Sequence, residues 1–158
     1  MIDFRKEDLR DAEGMRRAYA YYEEQIHAHY ADTFNGLLDP HLVTCDFDGR
    51  AATFVMEARP WMTNPNGVLH GGVTASFLDF TMGVVSRYYS GGHITPTIQM
   101  NVSYLRPVPA EGAVYCRATV RLNGLHICGV TAELWAGDDS RSLCATAEGS
   151  YYVQRGHS

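Results

Sequence analysis

The sequence contains 158 residues, 46% of them apolar and 20% charged, a composition typical of a globular protein with one substantial core. The 13 basic and 18 acidic side chains give a formal net charge of −5, which argues against nucleic-acid binding because such proteins usually carry a basic patch. We therefore predict a single domain over residues 1–158 with no nucleic-acid partner.

The N-terminus and the cysteines indicate the cellular compartment. The chain is charged from residue 3 onward, whereas a secretory signal needs an apolar stretch after a basic start, and no run approaches the roughly 18 apolar residues that span a bilayer. The four cysteines form no CxxC pair, and Cys116 and Cys128 fall on the apolar rows of predicted strands, so we expect buried free thiols. The seven histidines show no HExxH spacing. We therefore predict a cytoplasmic protein with no membrane partner and no metal site.

Residues 3–31 have the pattern of an amphipathic helix. Apolar side chains recur at intervals of three to four residues, with acidic and basic side chains between them. The turn-forming pairs Asn35-Gly36 and Asp39-Pro40 then interrupt the pattern. We predict a helical extension over residues 1–40, and we favour a helix packed on the sheet edge over the alternative of a lid that sets specificity.

Two short strands and a loop are predicted next. Residues 41–48 and 51–58 have the pattern of strands and are joined at Asp48-Gly49, which is a strong hairpin signal. The following stretch, residues 59–67, is dominated by turn-forming residues and is predicted to be an irregular loop.

The central helix is predicted over residues 72–90, with Gly91-Gly92 as its C-terminal stop. At about 100° per residue, one stripe of this helix is apolar and comprises Val73, Phe77, Phe80, Val84 and Tyr88. The opposite side carries small residues, among them Gly72, Ser76 and Gly83. Asp79 lies on this side and is the only charge before Arg87. It is a candidate functional residue because an aspartate in an apolar helix has poor helix propensity and a high desolvation cost.

Four more strands are predicted over residues 97–104, 112–122, 125–135 and 142–153. The turns Asn123-Gly124 and Gly137-Asp138-Asp139 separate the last three. Short connections favour an antiparallel sheet, and the apolar rows of that sheet need a helix to cover them. The predicted fold class is therefore α+β, with the central helix on the sheet and an extra helix at the N-terminus.

A glycine pair, Gly71-Gly72, lies at the start of the central helix. The first turn of a helix has backbone N–H groups without intrahelical partners, and its dipole favours negative charge, so a carbonyl that becomes an oxyanion would be stabilised there. Asp79 is a candidate base, but it follows His70 by nine residues, which is about 13 Å along the axis and on the opposite side of the helix. One chain therefore cannot hold both in one site. If both belong to one site, two copies must form a two-fold dimer.

The residues before and within the central helix resemble the signature of PaaI-type hotdog-fold acyl-CoA thioesterases. In this sequence the signature reads Asn64-(x)5-His70-Gly71-Gly72-(x)6-Asp79. The resemblance covers residues 41–153 and includes residues 101–107. It implies a hotdog fold, in which a curved antiparallel sheet of five to six strands wraps a long central helix. It also implies an acyl-CoA substrate, no cofactor because coenzyme A is part of that substrate, and a homodimer or homotetramer with sites at the subunit interface.

By position, the resemblance implies a role for each residue of a site that hydrolyses thioesters. Gly71 would offer its backbone N–H to the thioester carbonyl, and Asp79 of the partner subunit would be the nucleophile or the general base for water. Asn64 would orient the thioester or the water, and His70 would support the loop and the carbonyl. Thr97 falls at the position of the family's water-orienting hydroxyl group.

The predicted substrate-binding positions are four small residues: Gly67, Gly72, Ser76 and Gly83. Many relatives carry a basic residue after a glycine in the second-last hairpin, where it helps to hold the CoA phosphates, whereas this chain has Gly124-Leu125-His126. The alternatives for that contact are Arg106, Arg121 and Arg155. Two other functions stay open, namely a non-catalytic acyl-CoA-binding module and a hotdog enoyl-CoA hydratase or dehydratase.

Overall fold

The computed structural model of the protein describes residues 9–155. Its helices are α1 (Ala12–His29), α2 (Phe34–Leu38) and α3 (Gly71–Tyr89). Its strands are β1 (His41–Asp46), β2 (Ala51–Ala58), β3 (Thr97–Tyr104), β4 (Gly112–Asn123), β5 (Ile127–Ala136) and β6 (Leu143–Tyr152). A short 3₁₀ turn, Pro60–Met62, lies in the loop before α3. Within the described residues, no helix is both long and apolar enough to cross a membrane.

The six strands form one antiparallel sheet in the order β1-β2-β4-β5-β6-β3, so that β1 and β3 are its edges. Each central strand turns one row of side chains toward the core; in β4 that row is Val114, Cys116, Ala118 and Val120. Helix α3 packs on this face against β2 through β6. The predicted α+β hotdog architecture, a long helix wrapped by an antiparallel sheet, is therefore confirmed.

The predicted boundaries of the central helix and of the strands lie within two residues of those in the structure. The largest differences occur at turns. Strand β1 ends at Asp46 rather than at residue 48, because the Asp46 carboxylate accepts a hydrogen bond from Gly49 N–H at 2.9 Å and so begins the turn early. Cys116 and Cys128 are buried free thiols, as predicted from their apolar rows.

Helix α3 is covered along its apolar stripe and ends at the predicted glycines. Its stripe residues Val73, Phe77, Phe80, Val84 and Tyr88 are all buried. Gly91 and Gly92 have φ angles of 72° and 80°, and Gly92 N–H donates to the Arg87 carbonyl oxygen at 2.8 Å. Glycine adopts this left-handed backbone without a steric penalty, so the chain reverses here and leads into β3.

The N-terminal extension corrects two details of the prediction. Residues 3–8 of the predicted helix lie outside the described residues, and α1 begins only at Ala12, because Asp11 caps it by accepting from Gly14 N–H at 2.6 Å. Residues 9–11 are therefore not part of the α-helix. The short helix α2, with Thr33 as its N-cap, occupies a stretch in which turn-forming pairs predicted a break.

Helix α1 extends the core at the β1 side of the sheet. Tyr19 is buried, and its ring centroid lies 5.4 Å from that of Phe54 on β2 and 5.5 Å from that of Tyr88 on α3. Contacts of this kind between aromatic rings stabilise a core beyond the apolar area that they bury. Helix α1 is thus packed on the sheet, as favoured from the sequence.

Candidate active site

The N-terminus of α3 is capped by His70. The His70 Nδ1 atom accepts a hydrogen bond from Gly72 N–H at 2.9 Å, and the His70 carbonyl oxygen accepts from Val73 N–H at 2.9 Å. A neutral imidazole whose Nδ1 accepts carries its proton on Nε2, so the exposed side of His70 presents an N–H donor. Glycine suits position 72 because a Cβ atom there would lie only 3.0 Å from His70 Nδ1.

The Gly71 N–H is the donor that this cap leaves available. No acceptor within residues 9–155 pairs with it, whereas the Gly71 carbonyl oxygen accepts from the Tyr104 hydroxyl at 2.8 Å. Tyr104 is the last residue of β3, so the edge strand holds the start of α3 in place. Sequence reasoning gave Tyr104 no role, because an exposed tyrosine at a strand end has no distinguishing pattern.

Asn64 and Gly67 shape the loop that leads to His70. The Asn64 side-chain oxygen accepts from Asn66 N–H at 2.9 Å, and the Asn64 carbonyl oxygen accepts from Gly67 N–H at 3.0 Å. Gly67 has a φ of 74°, which a residue with a Cβ atom rarely adopts. The Asn64 oxygen is thus engaged in the turn, and its amide NH₂ group is what it can offer a ligand.

Asp79 lies in the middle of α3, half-buried, and is fixed by two hydroxyl groups. Its Oδ1 atom accepts from Thr97 Oγ1 at 2.8 Å and from the Tyr151 hydroxyl at 3.0 Å. The structure therefore brings together Asp79 and Thr97, two of the predicted site residues. Among the described residues, no donor reaches the other carboxylate oxygen, Oδ2, which stays available for chemistry.

Tyr151 is a site residue that the sequence did not reveal. Its position on the buried row of β6 was interpreted as strand packing, and the side chain is indeed fully buried, but its hydroxyl points to Asp79. Burial, followed by the negative charge of Asp79, raises the pKa of Tyr151 well above its ordinary value. Tyr151 is therefore a protonated donor throughout the neutral pH range.

A cavity of about 330 Å³ opens beside Asp79. Thr97, Tyr151, Ser76 and Gly83 line it at the carboxylate, so two of the four predicted substrate-binding residues are found here. Phe80, Val84 and Ile94 contribute apolar wall. The N-terminal extension contributes three further residues to the wall: Tyr22 of α1, and Phe34 and Asn35 of α2. The extension therefore does more than pack on the sheet, because it also borders this cavity.

The predicted site residues form two separate groups within one chain. Asn64, Gly67, His70, Gly71 and Gly72 lie at the N-terminus of α3, whereas Ser76, Asp79, Gly83 and Thr97 lie at the cavity beside the middle of the helix. At 1.5 Å per residue, Gly71 and Asp79 are separated by roughly 12 Å along the helix axis. One chain therefore does not assemble the complete set.

Comparison with known families gives a match for most of the region that contains the candidate site. Residues 66–143 match a family model described as the thioesterase superfamily. These residues are a thioesterase-superfamily domain. The matched range contains all of α3 and runs to the start of β6, so it includes Gly71, Asp79 and Thr97. Tyr151 and the N-terminal extension lie outside it.

Solved structures resemble the thioesterase domain together with its flanking elements. A conserved protein of Pseudomonas aeruginosa is 28% identical, covers 83% of this chain and 98% of its own, and has a TM-score of 0.68. A phenylacetic acid degradation-related protein of Ralstonia eutropha is 24% identical, with coverage of 84% and 99% and a TM-score of 0.70. The PaaI protein of Escherichia coli, from the phenylacetic acid degradation operon, is 20% identical, with coverage of 90% and 94% and a TM-score of 0.72. The fold of this chain is thus that of PaaI proteins.

The three arginines that were alternatives for CoA phosphate binding lie at different places in the structure. Arg121 donates to Thr131 Oγ1 at 3.0 Å on the outer face of the sheet, away from α3. Arg106 donates to the Leu143 carbonyl oxygen at 2.7 Å. Arg155 donates to the Leu125 carbonyl oxygen at 3.0 Å, so it lies beside the hairpin in which many relatives carry the basic residue.

Proposed function

We propose that this protein hydrolyses acyl-CoA thioesters to a free acid and coenzyme A. The observation that carries this proposal is the Asp79 carboxylate, which the Thr97 and Tyr151 hydroxyls fix at the wall of a cavity. The match of residues 66–143 to the thioesterase superfamily supports the same class of reaction. The roles of the individual residues are part of the proposal.

Two copies of the chain would assemble the reacting groups. Gly71 and Asp79 are about 12 Å apart along α3, which is too far for both to act on one thioester group. Strand β3 contacts both residues: its first residue, Thr97, donates a hydrogen bond to Asp79, and its last residue, Tyr104, donates one to the Gly71 carbonyl oxygen. Antiparallel pairing of β3 with β3 of a second copy would place Thr97 of one subunit near Tyr104 of the partner subunit. Asp79 would then lie near Gly71 of the partner subunit.

The exposed surface along β3 supports this pairing. Strand β3 is an edge of the sheet in the described residues, and an edge strand presents backbone groups that can pair with another chain. Ile98 and Leu105 are 55% and 52% exposed along this edge, so a dimer interface would remove apolar surface from water. The small side chains on the Asp79 side of α3 would permit a close approach of the two central helices.

The N-terminus of α3 would polarise the thioester. Its free Gly71 N–H and the positive end of the helix dipole favour the negative charge that develops on the carbonyl oxygen, and one such donor contributes on the order of 3 kcal/mol to the transition state. The His70 Nε2–H group is exposed and lies at the same helix end, where it would be a second donor.

Asp79 would act through Oδ2, since both hydroxyl groups reach Oδ1. As general base, Oδ2 takes a proton from water, hydroxide adds to the carbonyl carbon, and the C–S bond breaks to release CoA thiolate, which takes up the proton. As nucleophile, Oδ2 adds to the carbonyl carbon, CoA thiolate leaves, and water hydrolyses the mixed anhydride. A single turnover in ¹⁸O-labelled water identifies the nucleophilic route if the label enters the Asp79 carboxylate.

The acyl group would occupy the cavity beside Asp79. Aromatic and aliphatic side chains form much of the wall, among them Phe34 of α2 and Phe80 of α3. The cavity volume of about 330 Å³ suits an aryl or a short aliphatic acyl group. Arg87 also lines the cavity, and its guanidinium lies 5.7 Å from the centre of the Tyr22 ring. This contact ties α3 to α1 at the wall of the cavity.

A panel of aliphatic and aryl-acyl CoA thioesters tests the proposal, with released thiol measured by a thiol-reactive dye. Asp79→Asn keeps the shape of the side chain but removes the base, so we expect hydrolysis of the best substrate to be about 100-fold slower or worse. Asp48→Asn changes an exposed carboxylate in the β1–β2 turn and should retain the parental rate. Equal rates for Asp79→Asn and the parent protein would overturn the assigned chemistry.

Two alternative functions are compared in the same samples. An enoyl-CoA hydratase would remove the absorbance of an enoyl-CoA without releasing thiol. A binding module would bind CoA thioesters in calorimetry without turnover, and the Leu125-His126 departure in the phosphate-binding hairpin is the feature that keeps this alternative in the comparison.

A further inference from the structure

Three potential metal ligands converge where the N-terminal extension joins the sheet. His27 lies near the end of α1, Asp39 follows α2 as its C-cap, and His41 begins β1. One ligand atom from each side chain lies within 4.8 Å of the other two. In the sequence, these three residues precede all the candidate catalytic residues described above, and they belong to different elements of the fold.

The distances among these atoms suit one bound ion. His27 Nε2 lies 2.9 Å from Asp39 Oδ1, and His41 Nε2 lies 3.4 Å from the same oxygen. Ligand atoms about 2.0–2.1 Å from a tetrahedral zinc ion are separated from one another by about 3.4 Å. A shift of a few tenths of an ångström in the His27 side chain, which is partly exposed, would bring its distance to this value.

Two further side chains orient the ligands from outside. Glu23 Oε1 is hydrogen-bonded to His41 Nδ1, so with the proton on Nδ1 the lone pair of Nε2 faces Asp39 and His27. Arg59 is paired with Asp39 Oδ2, which leaves Oδ1 directed at the two imidazoles. Carboxylate partners of this kind typically hold the histidines of metal sites in the ligating tautomer.

The backbone and charge of Asp39 fit the same arrangement. Asp39 has a left-handed backbone, with φ 51° and ψ 55°, and its N–H donates to the Gly36 carbonyl oxygen at 3.2 Å. The chain reverses at this residue, and the hydrogen bond fixes the position from which the Asp39 side chain extends. The Asp39 carboxylate is also ion-paired with the Arg59 guanidinium at 2.5 Å, through Oδ2. Asp39 therefore offers Oδ1 as an oxygen ligand from a fixed position.

We propose that His27, Asp39 and His41 form a structural site for a divalent transition ion of the Zn²⁺ class. Two imidazoles and one carboxylate suit such an ion better than Ca²⁺ or Mg²⁺, which take mainly oxygen ligands. Water would complete the coordination on the exposed side. The ion would join α1 to β1 and would fix the connection that carries α2, whose Phe34 borders the Asp79 cavity.

Calorimetric titration of tag-free, chelator-treated protein with ZnCl₂ tests this site. We expect saturable binding of one ion per chain, and His27→Gln and His41→Gln should each weaken it by about 10-fold or more, as should Glu23→Gln through the orientation of His41. His29→Gln is the matched control, because His29 lies on the same helix but outside the cluster, and it should bind as the parent does. Cys45→Ser, which removes the half-buried thiol, should also bind normally.

Two measurements on the parent protein do not depend on the variants folding. Co²⁺ should give visible absorption of a site with nitrogen and oxygen ligands, without the thiolate charge-transfer band that cysteine ligation produces. Stoichiometric Zn²⁺ should raise the Tm, because an ion that binds only the folded state stabilises it. The proposal is overturned by the absence of saturable binding, by a thiolate band, or by binding that His27→Gln and His41→Gln leave unchanged. In each case the cluster is a hydrogen-bonded network alone.

Discussion

The Tyr151 hydroxyl lies 3.0 Å from Asp79 Oδ1, so β6, the last strand in the chain, donates a hydrogen bond to the carboxylate in the middle of the central helix. Thr97, at the start of β3, donates to the same oxygen at 2.8 Å. Side chains from two strands, β3 and β6, thus reach one carboxylate oxygen of α3. Because both donors bind Oδ1, the other carboxylate oxygen, Oδ2, stays free, and it is the oxygen that acts in the proposed reaction.

Tyr151→Phe removes one of these two donors and should lower kcat for the best thioester by about 10-fold, because a hydrogen bond to a charged group is worth about 1.5–3 kcal/mol and part of it is retained through Thr97. The KM should change less, since the ring still fills its place against α3. Steady-state kinetics provide the measurement. Tyr152→Phe changes the exposed neighbouring tyrosine and should match the parent protein, so equal losses in the two variants would assign the effect to packing.

Mixed dimers test the shared site. Asp79→Asn and Gly71→Ala subunits are each inactive in the proposed mechanism, but a heterodimer of the two has one site free of both substitutions. A Cβ at position 71 would lie 3.5 Å from the Tyr104 ring, an ordinary contact, so Gly71→Ala should fold while obstructing the carbonyl. Random reassociation should restore about one quarter of the parental activity, since half the dimers are mixed and each has one intact site. Mixtures with no restored activity would place the complete site within one subunit.

The sequence was most informative where local patterns decide the structure. Alternation in β3 and the turn glycines after α3 predicted element boundaries to within two residues, because period and turn chemistry act over a few neighbours. Helix α2 was missed because Asn35-Gly36 and Asp39-Pro40 resemble turns, yet Asn35-Gly36 lies inside a short helix that Thr33 caps and that ends at Leu38, just before Asp39. The start of α1 was misplaced because Asp11 is one of several acidic residues there, and only its contact with Gly14 identifies it as the cap.

The candidate site was predictable only where one element carries the signal. The position of Asp79 in an apolar helix is visible in the sequence, and the resemblance added Thr97. Tyr151 gave no signal, because a tyrosine on a buried row packs like any other aromatic residue until its hydroxyl is seen to reach a carboxylate. His27 and His41 belong to different elements, so no ligand spacing exists in the sequence, and the metal site proposed here departs from the expectation that there is none.

Buried thiols predict a loss of stability in alkaline solution. Burial raises the pKa of Cys116 to about 12 and that of Cys128 to about 11. Unfolded thiols ionise near pH 8.5, so the full contribution of the neutral thiols to folding stability is present below that pH. As the pH rises from there toward the pKa values of the folded-state thiols, the free energy of unfolding falls by up to about 1.4 kcal/mol per pH unit for each thiol. Urea unfolding from pH 8 upward measures it. Cys116→Ala should show a shallower fall in the free energy of unfolding than the parent, and parallel curves would contradict the assignment.

Phe34 offers a direct test of whether the N-terminal extension sets substrate preference. Its side chain is 49% exposed and lines the Asp79 cavity from α2, so Phe34→Ala should enlarge the cavity without unfolding the protein. We expect kcat/KM to fall about 10-fold for the substrate that fits the parental cavity, because apolar contacts with a ring are worth about 1–3 kcal/mol, and to fall less for longer acyl groups. Leu37→Ala is the matched control, since Leu37 is 46% exposed on the same short helix but does not line the cavity, and it should leave the ranking of acyl chains unchanged. If both variants keep the parental ranking, α2 is only a packing element, and the residues of α3 and β3 determine which acyl group is hydrolysed.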